Sequence, residues 1–414
     1  MPTIAPPKNA KPLQKQEARL AWGLLAPTVT SVALIVLLPL LAIFWISFKP
    51  VSLGDLRAPV PLANERLRGE ITQPGDTATI QYRLRNSNSE NQINGVTLTD
   101  TIPAGLSVSD LDPRCDLAGR QLTCEFGDWE GGHRETLELT VTAEADFADG
   151  PPDVRASTAT MDGSGENVLT SLEFTFENFM TVFEARDFLS VLWATVFYTV
   201  VGTVGALVAG LFAALLLNQT FRGRGFLRGL FLFPYVAPVI AAAFTWVTLF
   251  DPFSGSANAL LLQMGFSTGP INFFGERPLA LIMVTVFEIW RYFPLSFLFI
   301  LARMQAVDTD IFEAANMDGA SPFQKFRYLL LPQLFGILSV LFLLRFIWTF
   351  NKFDDIFLLT GGNAGTRTLT VNVYEQAFAV ADIGAGAAVA VVIFLCLLGF
   401  STVYFWSLRH EEEL

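Results

Sequence analysis

The 414-residue chain is 52% hydrophobic and only 16% charged, with a mean hydropathy of +0.44. A soluble globular chain carries about 25% charged residues, so these values exclude a disordered, highly solvated polypeptide and make lipid part of the solvent. The net charge of −12 offers no basic surface for nucleic acid, and two histidines and three cysteines form no Cys/His cluster of metal-binding spacing.

A bilayer core of about 30 Å takes about 20 apolar residues as a helix. Residues 22–48 are the first such run, behind a polar tail over 1–21. The run is longer than the apolar core of a signal peptide and no A-x-A site follows it, so a retained span is expected. Five further runs cover 188–217, 230–250, 279–302, 334–350 and 383–408. Gly202, Gly205 and Gly210 allow close helix approach. Pro234, Pro238 and Pro294 fall inside spans, where neighbouring groups satisfy the freed carbonyls. Basic residues flank alternate ends: Lys8, Lys11, Lys15 and Arg19; Arg222, Arg224 and Arg228; Arg303, Lys325 and Arg327; then Arg409. This bias predicts both termini in the cytoplasm, although Lys352 and Arg367 fall on the other side.

Between the first two runs, residues 54–172 are long enough to fold alone. The negative charge is local to this region: residues 51–178 hold 9 basic and 22 acidic side chains, a net of −13, and the remainder is +1. Alternating stretches at 77–84, 96–99 and 136–142, separated by turn residues at Asn94-Gly95, 103–105 and 130–132, predict an antiparallel β-sandwich outside the cell. The wording of residues 99–106, TDTIPAGL, resembles immunoglobulin-like (Ig-like) repeat domains of bacterial surface proteins. Cys115 and Cys124 have the spacing of a strand–turn–strand staple in an oxidising compartment, with two free thiols as the alternative. Cys396 lies in a span and reads as a small apolar residue.

Residues 308–332 read as helix, turn and helix between the fourth and fifth spans. Asp310 and Glu313 suit a capping box, Gly319 a left-handed helix end, and Ser321-Pro322 with Gln324 a second start. Ile311, Phe312 and Ala315 offer one apolar face and Phe323, Phe326 and Leu330 another. Such an element buries itself against the chain's own spans or in a groove of another subunit. The order Glu313-Ala314-Ala315, Asp318-Gly319, Leu331-Pro332 resembles the EAA loop of permease subunits of binding-protein-dependent ABC importers. The resemblance extends over 188–408. At residues 233–238, 359–362 and 384–388 it is similar to the carbohydrate branch, near the maltose-transporter permeases that carry a large exported insertion. Where the family has Gly-Gly-Pro, this chain has Gly361-Gly362-Asn363.

The resemblance implies a type I importer permease fold: six transmembrane helices in the bacterial inner membrane, with the Ig-like sandwich inserted after the first. It implies that Glu313, Ala314, Ala315, Asp318 and Gly319 dock an ATPase subunit. The implied partners are a second, different permease subunit, two ATP-binding subunits that carry ATP and Mg, and an extracytoplasmic binding protein. Aligned with the family's sugar-contacting positions are Tyr235, Glu288, Tyr292, Thr349 and Asn351. Glu288 and Arg291, three apart on one helix face, are either an intrahelical ion pair or a portion of a polar wall. Arg345, Lys352, Asp354 and Asp355 are further charges in or beside the fifth span. No G-x-x-x-x-G-K-[ST] loop occurs, so nothing here cradles ATP phosphates by that route and no enzyme activity is expected of the chain. Two other classes remain: an importer of a peptide, polyol phosphate or ion, and a membrane-anchored sensor or adhesin for which Gly319 would be dispensable.

Overall fold

The computed structural model describes residues 12–145, 147 and 159–412. These divide into two compact units: Met1–Ser47 with Glu177–Val380 and Ala385–Leu414, and Phe48–Phe176 with Ala381–Gly384. The inserted unit is thus a few residues wider at each end than 54–172.

The helical unit contains α1 (Gln16–Ser47), α2 (Glu177–Glu184), α3 (Phe188–Asn218), α4 (Arg224–Val236), α5 (Val239–Leu249), α6 (Ser256–Gln263), α7 (Leu279–Gln305), α8 (Thr309–Met317), α9 (Pro322–Phe350), α10 (Asp354–Thr360), α11 (Leu369–Tyr374) and α12 (Ile383–Glu412). Five of them, α1, α3, α7, α9 and α12, are long and apolar enough to cross a bilayer; α4 with α5 makes a sixth if the bent pair counts as one span. Helix extends back from α1 to Pro12, within residues 1–21; Lys8 and Lys11 lie outside the described residues. Along α1, apolar side chains such as Leu24, Ile35 and Leu41 stay exposed, as a lipid-facing helix requires.

The run over 230–250 is not one straight span. It bends by 91° between Val236 and Val239. Proline clashes with a helical residue before it, and Ala237 accordingly leaves the helical region at ψ 140, while Pro238, non-helical at ψ 131, is the N-cap of α5. The opposite correction applies at 308–332. The second helix of that loop does not end before the fifth span but runs into it as α9. A π turn over Lys325–Leu330 precedes Pro332, where the missing N–H would otherwise break the ladder.

Helices α3 and α7 meet through small residues. A Cβ on Gly210 would lie 2.6 Å from Ser296 Cβ and 2.7 Å from the Phe297 backbone nitrogen, so the two backbones touch there. Around the contact Ala213, Ala214, Phe297, Ile300 and Leu341 form an apolar core.

Among the described residues the inserted unit has eight strands: β1 (Pro61–Arg68), β2 (Thr77–Asn86), β3 (Ile93–Thr101), β4 (Leu106–Asp110), β5 (Cys115–Ala118), β6 (Gln121–Trp129), β7 (Arg134–Ala143) and β8 (Thr160–Ser164). They form two antiparallel four-stranded sheets, ordered β1-β2-β7-β4 and β5-β6-β3-β8. Period-2 alternation sends Ile80, Tyr82 and Leu84 from one sheet and Val96, Leu98, Leu122 and Trp129 from the other into a shared core. Asn94-Gly95 is not a turn: it lies within β3 as a bulge, with Gly95 at φ +62. Cys115 and Cys124 sit opposite each other in the β5–β6 pair and are disulfide-bonded.

Substituting Gly210→Leu forces a side chain into the backbone of α7 and is expected to destabilise the helical unit by about 1–3 kcal/mol. Gly225→Ala, which meets nothing within 4 Å, is expected to leave the melting temperature nearly unchanged. Thermal unfolding of the two variants in detergent checks this.

Candidate functional site

Glu288 of α7 is fully buried. Its Oε1 accepts from the Arg345 guanidinium at 2.8 Å and from the Thr349 hydroxyl at 3.0 Å, both on α9. Its Oε2 accepts from the Tyr198 hydroxyl of α3 at 3.1 Å. Burying a carboxylate is costly unless it is paired and hydrogen-bonded, and here two neighbouring helices supply the partners.

Arg291 is not among them. Its guanidinium donates to the Pro234 carbonyl at 3.2 Å and the Ala237 carbonyl at 2.9 Å. These are backbone groups left open where α4 ends, so the arginine caps the bent pair rather than pairing with Glu288 one turn away. Three cations surround the ring of Tyr292: Lys352 Nζ at 4.5 Å, Arg345 at 4.8 Å and Arg291 at 5.6 Å from its centroid. Tyr235, partly exposed, meets Tyr292 edge-on with centroids 6.1 Å apart. Lys352 also faces Asp354 at 3.3 Å and the fully buried Asp355 at 3.8 Å. Neither Asp355 oxygen has a hydrogen-bond donor among the described residues.

Among the sequence-selected positions, Glu288, Arg291, Tyr292, Thr349 and Tyr235 are thereby brought to one locus. Asn351 is not: it is exposed and donates to the Ile347 carbonyl at 2.9 Å, closing the end of its own helix. Tyr198, Arg345, Lys352 and Asp355 complete the cluster. Arg345, Thr349 and Lys352 follow one another at four and three residues, a single helix face readable in advance. Tyr198 carried no such signal. Among the described residues no group of acidic, His and Cys side chains suits a metal.

A second locus lies at the other end of α9. Asp308, extended at ψ 129, caps α8 by accepting from the Asp310 N–H at 3.0 Å. Asp310 is already helical and does not form the expected box with Glu313. Gly319 adopts φ +77 and ends the helix. Ser321 and Gln324 cap the start of α9 reciprocally, at 3.3 and 2.8 Å. Phe312, Phe326 and Leu330 turn into the helical core. Ile311, Met317, Phe323 and Tyr328 remain exposed, as do Glu313, Ala314, Asp318 and Gly319, with Ala315 half-buried.

Residues 206–410 match the family described as binding-protein-dependent transport system inner membrane component. The inner membrane ABC transporter permease protein YcjO of Escherichia coli is 36% identical over 233 residues, covering 55% of this chain and 78% of that protein. The chain belongs to this family of permeases. The trehalose/maltose transport system permease protein MalF of Thermococcus litoralis is 34% identical, covering 55% of this chain and 77% of the relative. The sn-glycerol-3-phosphate transport system permease protein UgpA of Yersinia pestis is 30% identical with the same coverage. A solved bacterial ABC transporter involved in importing the acidic polysaccharide alginate shares the fold, with a TM-score of 0.52 at 19% identity, over 57% of this chain and 85% of that one. The permease is therefore a membrane-embedded ABC importer subunit, and its relatives are transport components rather than enzymes.

Removing one partner of the buried pair leaves the other uncompensated. Arg345→Met is expected to cost the permease about 3–5 kcal/mol, and the double change Glu288→Gln/Arg345→Met distinctly less than that. Detergent melts of both variants check the order, and equal losses would contradict it.

Proposed function

We propose that this permease forms half of the pathway of an importer for a sugar or oligosaccharide, crossing the inner membrane six times with both termini in the cytoplasm and an Ig-like sandwich outside. The exposed α8 element carries the reading: Glu313, Ala314, Ala315, Asp318 and Gly319 stand beside unburied Ile311, Met317, Phe323 and Tyr328, a surface suited to a groove in another subunit. That partner is one of two ATPase subunits, which bring ATP and Mg. A second, different permease subunit completes the channel, and a soluble binding protein delivers the solute outside, with the acidic insertion as one face for it. Closure of the ATPases moves α8, and α9 passes the motion to Arg345 and Thr349.

Sugar is the preferred solute because Tyr235 and Tyr292 offer aromatic faces beside hydrogen-bonding groups, and because one relative is a trehalose/maltose permease. One observation favours an anionic polyol instead, the three cations around Tyr292. Uptake of a panel of labelled sugars and polyol phosphates by the reconstituted complex decides between them. Gly319→Val places a β-branched residue at a left-handed position and is expected to lower binding-protein-stimulated ATPase activity and uptake together by at least about tenfold. Full activity of that variant would refute the coupling role. Tyr235→Ala is expected to lower uptake while leaving the ATPase subunits bound.

A further inference from the structure

The inserted unit is acidic, yet one of its faces is not. Of the nine basic side chains in residues 51–178, Arg66, Arg68, Arg83, Arg85 and Arg134 all stand on the outer face of the β1-β2-β7 strands. Their register gives two informative rows. Leu62, Arg85 and Arg134 lie side by side across three strands, and Asn64, Arg83 and Thr136 lie in the next outward row. Arg85 and Arg134 are direct cross-strand partners, an arrangement of like charges that destabilises a sheet. Arg83, two residues from Arg85 on the same face, adds a third guanidinium diagonal to Arg134.

No described carboxylate relieves this. Glu138, on the same face, accepts from Gln81 at 2.7 Å and lies 4.0 Å from Arg68. Glu135 is held by Arg114 at 3.0 Å. The three arginines instead line a cavity of about 630 Å3 with Asn64, Thr136 and Glu135, whose carboxylate is already paired with Arg114, and with the apolar Leu62, Ala63 and Leu84. That volume is within the usual range for small-molecule sites, about 300–1,000 Å3. Guanidinium forks match carboxylate and phosphate oxygens bidentately, and the neutral amide and hydroxyl beside them suit sugar hydroxyls.

We propose that Arg83, Arg85 and Arg134, with Asn64 and Thr136, form a binding site for a small oxyanion-bearing saccharide, a sugar acid or sugar phosphate. A compact anion fits better than an acidic protein surface, because the unit's net charge repels an extended acidic partner at long range while a small ligand meets three arginines unpaired among the described residues and one carboxylate already paired with Arg114. The site lies outside the membrane-embedded cluster, and the inference does not depend on which solute crosses.

Isothermal titration of the purified full-length permease in detergent, at low ionic strength, tests it with a digalacturonate, a hexose phosphate and a neutral disaccharide. Saturable binding of at least one anionic probe, one per chain, is expected, with the two probes distinguishing the sources of the oxyanion and the neutral disaccharide inert at this site. Arg85→Gln is expected to weaken binding by about tenfold, and Arg85→Gln/Arg134→Gln to abolish it. Arg68→Gln, on the same face but outside the cavity, should bind as wild type does. The unliganded double variant should melt no lower than wild type, since a like-charge pair is removed. Absence of saturable binding by both anionic probes overturns the proposal. So does binding that survives the double substitution, which would place the ligand elsewhere, the cluster around Tyr292 included.

Discussion

A single buried carboxylate organises the helical unit. Glu288 draws Arg345 and Thr349 from α9 and Tyr198 from α3 to one point. Within a bilayer an unpaired charge has no water to fall back on, so none of the three helices can slide or rotate independently without breaking a hydrogen bond at that point. The close approach of α3 to α7 at Gly202 belongs to the same constraint: a Cβ there would sit 3.1 Å from Glu288 Cγ. The ion pair is thus a register mark. Packing of leucines and valines alone tolerates repacking, whereas a buried charge has one place where it is satisfied. Arg291 has the complementary role a turn further along α7, closing the carbonyls that the 91° bend leaves open.

Under the proposed coupling role, the length and continuity of α9 make it a lever from the Gly319 turn to Glu288. Its 29 residues span about 43 Å of helix. The capping box of Ser321 and Gln324 fixes one end beside the exposed Gly319 turn, and Arg345 and Thr349 grip Glu288 near the other. A lever of this kind works only if it is stiff. Helix–helix contacts along Leu330, Leu334 and Leu341 hold it against the core, and a π turn over Lys325–Leu330 carries the helix up to Pro332. An apolar span joined to the loop by a flexible turn would dissipate the same displacement.

Features of one chain segment were legible in the sequence, and features that join segments were not. Apolar runs located the spans, and alternation located β2, β3 and β7, because both follow from a local period. The Ser321–Gln324 box and the left-handed Gly319 were likewise readable, being four-residue events. Asp308 displaced Asp310 as the first cap because helix starts shift by a residue or two without changing composition. Asn94-Gly95 suits a hairpin and a bulge equally well, and only pairing of β3 with β6 selects the bulge. Pro238 was read as tolerated within one span over 230–250, and the bend there was not foreseen. The partner of Glu288 depended on contacts 57 and 90 residues away, so the three-residue spacing to Arg291 pointed to the wrong arginine. The charges were visible and their pairing was not.

The two units also show one rule of burial applied in two solvents. In the insertion, large apolar side chains such as Tyr82, Leu98 and Trp129 are withdrawn from the surface and polar ones cover it, because water sets the cost of exposure. Along α1 and α12 the surface keeps Leu24, Ile35, Leu395 and Phe405, and the interior of the helical unit instead collects Glu288, Arg345, Thr349 and Asp355. Lipid makes no demand that leucine be hidden, but it does demand that a carboxylate be. An apolar surface over a charged interior therefore identifies the lipid-facing unit, and the reverse identifies the aqueous one. The same logic marks the anomalies in each: a half-satisfied aspartate beside Tyr292 in one, and three adjacent arginines on an otherwise acidic unit in the other. Each costs stability where it stands, so each is where something other than stability has shaped the chain.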